Sequence, residues 1–115
     1  EGEGIGFKPP IGLLYIATYL NKQTPHKAGI IDCQAERLSV EATVDRVVKE
    51  APAVIGISAW TEWWYPTHEL GRLLKKALPQ AHICYGGPHI GIFHEETLAC
   101  EHTDAFGNPT AFFDV

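Results

Sequence analysis

The chain has 115 residues, 45% hydrophobic and 20% charged, with nine Lys and Arg against fourteen Asp and Glu for a net charge of -5. This is the composition of one small globular domain. It lacks the basic stripe of a nucleic-acid binder and any apolar run long enough to span a membrane. Cys33, Cys84 and Cys100 have no short spacing between them, which excludes a disulfide framework or a zinc knuckle and fits a reduced, cytoplasmic setting.

In chain order, residues 1–8, EGEGIGFK, are Gly-rich without a period and read as a flexible segment. No initiator Met or signal-peptide layout is visible, so the expected origin is a piece of a longer chain. Pro9-Pro10 open a helix over 10–22, with Ile11, Leu14, Tyr15 and Thr18 or Tyr19 at helical spacing. Thr24-Pro25 stop it. "KAGIID", 27–32, is short, apolar and β-branched, and predicts a buried parallel strand ending in Asp32.

Ser39 is a candidate N-cap for the helix "VEATVDRVVKEA", which repeats Val40, Val44, Val47 and Val48 on one face. "AVIGIS", 53–58, predicts the next buried strand, and "AWTEWWYP", 59–66, an aromatic-rich loop. Thr67 is a candidate cap for "THELGRLLKKAL", 67–78, with Leu70, Leu73, Leu74 and Leu78 at helical spacing. "HICY", 82–85, predicts another strand, followed by the Gly86-Gly87 turn and a short helix at 94–100. Residues 101–115 read as an irregular tail holding a brief apolar "AFFDV".

Helices alternating with buried strands imply parallel pairing, right-handed crossovers and a three-layer α/β sandwich. Such sheets bind ligands at the carboxyl ends of their strands. The unusual residues collect there: Asp32, Ser58 to Tyr65, and Gly86 to His89. Two glycines ending a strand either make a tight turn or let a bulky group approach the main chain. Ser58 and Thr61 offer hydroxyls. Trp60, Trp63, Trp64 and Tyr65 offer faces for a planar ligand, or pack as cover. Asp32 either orients a ligand or caps its own turn. Cys84 reads as a small core residue, and His89, after a turn proline, as exposed. Neither a P-loop nor G-x-G-x-x-G is present. No spacing supports a protein-held metal, and no base arrangement supports a catalytic residue.

"KPPIGLLYIATYL", "IIDCQAERLS", "VIGISAWT" and "ICYGGPHIGIFHEETL" occur in an order and at intervals that resemble the N-terminal cobalamin-binding domain of B12-dependent radical SAM enzymes. That group includes the anaerobic magnesium-protoporphyrin IX monomethyl ester oxidative cyclases as well as methyltransferases. The resemblance implies a flavodoxin-like (Rossmann-like) fold over 9–100 that takes cobalamin at the carboxyl edge of the sheet and is not catalytic alone. It implies a cofactor-binding set of Pro10, Gly12, Asp32, Ser58, Thr61, Gly86, Gly87, Pro88 and His89, with the glycines leaving room for the nucleotide tail of the corrinoid.

Three departures sharpen these expectations. D-x-H-x-x-G is absent, which removes the usual histidine below cobalt. C-x-x-x-C-x-x-C is absent, so a 4Fe-4S cluster and S-adenosylmethionine belong to a C-terminal radical SAM domain outside this chain. The family's first and last strands are not recognizable. The exposed strand edges then predict a strand-exchanged homodimer, or refilling of the gap by a terminal segment such as Ala111 to Val115. The alternative is a flavodoxin-like interaction domain without cobalamin. A response-regulator-like switch fares worse, because its acidic cluster is not evident.

Overall fold

The computed structural model describes residues 9–97 and the backbone of 98–99 and 113–114. The expected flexible segment at 1–8 and most of the expected tail lie outside the described residues. The chain divides into two compact units, Glu1–Ser39 and Val40–Val115.

In the first unit, α1 runs over Ile11–Gln23. Pro10 precedes it, and its carbonyl accepts the Leu14 N–H at 2.9 Å. Thr24 ends it twice over. Its N–H and its hydroxyl both reach the Leu20 carbonyl, at 3.2 and 2.6 Å, and Pro25 cannot continue the helix.

The strand expected at 27–32 is absent. A strand exists only where its backbone finds a partner, and here side chains supply the bonds instead. Asn21 donates to the Ala28 carbonyl at 3.0 Å and accepts the Ala28 N–H at 2.8 Å. Asp32 closes a turn, accepting the Ala35 N–H on its carboxylate at 3.0 Å and the Glu36 N–H on its carbonyl at 3.0 Å.

The second unit holds α2 (Val40–Glu50), β1 (Val54–Ser58), a 3-10 turn (Thr61–Trp63), α3 (Trp64–Ala77), β2 (His82–Gly86), α4 (Pro88–Ala99) and β3 (Phe113–Asp114). The sheet is parallel in the order β1-β2-β3, so the mixed α/β class is as read from the sequence. β1 and β2 pair from Val54 with His82 to Ser58 with Gly86.

Alternation then sorts the side chains. Ile55, Ile57, Ile83 and Tyr85 are buried on one face. Gly71 and Leu74 are the buried positions of α3, and the Tyr85 hydroxyl donates to the Thr67 carbonyl of that helix at 3.2 Å. α2 packs on α3 and buries Thr43 and Val47. Each fully buried large side chain stabilises the unit by about 1.5–3 kcal/mol. The exposed Arg72–Glu69 pair, at 2.6 Å, adds little because water screens it.

Two helix starts and one strand differ from expectation. α3 begins at Trp64, not Thr67, since Pro66 in a first turn has no N–H to lose. Thr67 lies inside the helix and donates to the Trp63 carbonyl. α4 begins at Pro88 and is kinked at Phe93, with φ -115° and ψ 34°, so that its second segment starts at His94 where a helix was expected and a first segment precedes it. A last strand does exist. Residues 113–114 pair with Cys84 and Tyr85 on the far side of β2 from β1. The terminal segment therefore extends the sheet without filling a place beside β1. Among the described residues, the outer edge of β1 has no strand partner.

Candidate functional site at the strand ends

The carboxyl ends of β1 and β2 are joined at Ala59, which is fully buried. Its N–H donates to the Gly86 carbonyl at 2.8 Å, and its carbonyl accepts the His89 N–H at 3.1 Å. The first N–H groups of a helix have no intrahelical partner, so Ala59 satisfies one that α4 leaves over. Gly87 closes the turn at φ +95°, and a Cβ there would lie 2.8 Å from the Ala59 carbonyl oxygen and 3.1 Å from the Ser58 hydroxyl. Neighbouring backbone thus already requires glycine at 87.

His89 is buried, contrary to its expected exposure. Its ring stacks on Trp64 at 4.2 Å and 20°, and tilts against Phe93 at 4.9 Å. Its Nδ1 shares a hydrogen bond with the Thr61 hydroxyl at 3.2 Å, the donor following from the tautomer. Trp64 also meets Tyr85 edge-on at 5.5 Å. This tryptophan is core cover, whereas Trp60 and Trp63 are about half exposed, at 49% and 52%. Burial pushes the imidazole of His68, at the other edge of Trp64, below its ordinary value, with Glu69 opposing.

Among the described residues, the second sheet face carries Val54 and His82 at its start and only small groups toward the carboxyl ends. Gly56 and Ser58 of β1 stand opposite Cys84 and Gly86 of β2. A Cβ at Gly56 would meet nothing within 4 Å. Cys84 is half buried here instead of a core residue, and desolvation pushes its thiol pKa up. The result is a strip two strands wide, without bulky side chains, leading to the rim at Ser58, Gly86 and Gly87.

Of the residues singled out from sequence, Ser58, Thr61, Gly86, Gly87, Pro88 and His89 come together at this rim. Pro10, Gly12 and Asp32 belong to the first unit, where Gly12 is open on its Cβ side and Asp32 caps its turn. Gly56 and Cys84 were missed. Stepping back two residues from Ser58 and from Gly86 would have found both. Elsewhere, a surface cavity of about 440 Å³ between α2 and α3 is lined by Glu41, Val44, Asp45, Leu73, Lys76 and Ala77. Among the described residues no three His, Cys, Asp or Glu side chains converge as a metal site, and no helix is long and apolar enough to cross a membrane.

Parallel strands with a glycine turn and small exposed residues at their carboxyl ends define an α/β domain whose candidate ligand site lies at that edge. Residues 6–112 match the B12 binding domain, and the chain belongs to that family, whose members are flavodoxin-like and are defined by cobalamin binding. It is also similar to an uncharacterized methyltransferase of Pyrococcus horikoshii, with 31% identity over 90 residues. That match covers 78% of this chain but only 19% of the relative's length. No solved structure matches at a significant level.

Proposed function

We propose that this chain is the cobalamin-binding module of a larger B12-dependent radical SAM enzyme, and that it holds the corrinoid at the carboxyl edge of the sheet without catalysing alone. The observation that carries the site assignment is the open strip. Gly56, Ser58, Cys84 and Gly86 leave a narrow bed for the nucleotide tail, and the rim at Ser58 and Gly87 is where the tail would turn toward the corrin. Ser58 and Thr61 would offer hydroxyls to the tail, with Thr61 held by His89. When bound, cobalamin supplies a cobalt centre able to carry a methyl group or an electron. This chain's own residues bind and orient it. His89 is committed to Thr61, Trp64 and Phe93, which fits a domain without a histidine below cobalt.

The parent activity rests on the four motifs and on the relative. The motifs resemble the oxidative cyclase group. The relative's name favours a second reading, methyl transfer. In either case the 4Fe-4S cluster and S-adenosylmethionine belong to a C-terminal radical SAM domain, and a C-x-x-x-C-x-x-C in the full reading frame would support that assignment. The outer edge of β1, which has no strand partner among the described residues, supports strand addition, from a second copy or from elsewhere in the parent chain.

The test is direct. Protein mixed with hydroxocobalamin and desalted is expected to keep the visible spectrum of the corrinoid. Gly56→Val, at a position where an added Cβ meets nothing within 4 Å, is expected to lose it with the fold intact. Wild-type protein that retains no corrinoid overturns the reading.

A further inference from the structure

We propose that Trp60 is a corrin-contacting residue, set at the mouth of the open strip; this rests on the cobalamin reading above. The burial alternation of β1 does not stop at its last residue. Val54, Gly56, Ser58 and Trp60 are exposed, while Ile55, Ile57 and Ala59 are buried. The Trp60 backbone is still extended, with φ -112° and ψ 144°. Period-two alternation therefore places Trp60 on the same side as Gly56 and Ser58, one step beyond the carboxyl end of the strand.

The backbone under Trp60 is held on both sides. Ala59 before it is bonded to Gly86 and His89, and the Trp60 carbonyl accepts the Trp63 N–H at 3.0 Å. A large indole left 49% exposed on a braced backbone is prepared for a partner, because little ordering remains to be done on binding. The position beyond the rim is where a flat, largely apolar macrocycle would meet a π face.

The proposal separates the two parts of the ligand. Trp60 touches the corrin, whereas Gly56 and Cys84 bed the tail. Cobinamide, which has the corrin but no nucleotide tail, distinguishes them. Trp60→Ala is expected to weaken hydroxocobalamin and cobinamide by the same factor, about tenfold, as loss of one aromatic contact allows. Trp60→Phe keeps most of both affinities. Gly56→Val is expected to lose cobalamin and leave cobinamide unchanged. If wild-type protein binds and Trp60→Ala keeps its cobinamide affinity, this inference is overturned while the cobalamin reading stands. If wild-type protein binds neither corrinoid, both fall together.

Discussion

Gly87→Ala separates two reasons for a glycine at the rim. In the structure Gly87 has φ +95°, and an added Cβ would meet Ala59 backbone atoms at 2.8 and 3.0 Å. A left-handed backbone costs an L-residue about 1–2 kcal/mol. Moving Ala59 is not cheap, because its N–H and carbonyl are both bonded; forcing atoms into packed surroundings costs about 1–3 kcal/mol. The sum, about 2–5 kcal/mol, is a large share of the roughly 5–15 kcal/mol that stabilises a typical domain. Urea unfolding followed by circular dichroism reads it. With a slope of about 1–3 kcal/mol per molar, the midpoint is expected to fall by about 0.7 M or more with the slope unchanged. A midpoint within about 0.3 M of wild type, together with loss of cobalamin, would refute the reasoning. Glycine at 87 would then serve the ligand and not the fold.

Tyr85→Phe removes a buried hydroxyl bonded to Thr67 and is expected to cost about 0.5–1.5 kcal/mol by the same unfolding assay; no change would mean that bond is unimportant. For His68, whose imidazole is held low by burial, the unfolded chain takes up the proton near pH 6.5 while the folded chain resists until lower pH. Its contribution is therefore complete above the unfolded value and is lost as acidification passes the folded one. His68→Gln should flatten the fall in stability below neutrality, and parallel pH curves for the two proteins would contradict this. Cys84, with its thiol pushed up by desolvation, should alkylate slowly at neutral pH and more slowly still with saturating cobalamin. Peptide mass spectrometry showing an unchanged Cys84 rate would place the tail away from the strip.

The parts of the fold that were readable from sequence are those whose signal is local. Ile55 and Ile57 alternate with Gly56 and Ser58, and Leu70, Leu73 and Leu74 repeat at helical spacing, so β1, β2 and the body of α3 fall where expected. Residues 27–32 have strand-like composition, but pairing is a property of two segments, and Asn21 and Asp32 claim that backbone first. The start of α3 and the first segment of α4 were missed because Pro66 and Pro88 look like breakers, although both sit where a helix needs no donor. The site shows the same division. Ser58, Gly86 and Gly87 were visible as strand endings. The burial of His89 was not, because it depends on Trp64, 25 positions earlier in the chain. The strip at Gly56 and Cys84 depends on register between two strands.

Ala59 has a kinetic consequence. One residue with no exposed surface fastens the ends of two strands and the first turn of a helix, so the amides of Ala59 and His89 should be among the slowest to exchange with deuterated solvent even before any ligand is added. Recognition at such a rim resembles docking on a finished surface more than closing a flap. Its association rate should then track ligand concentration without a limiting isomerisation step.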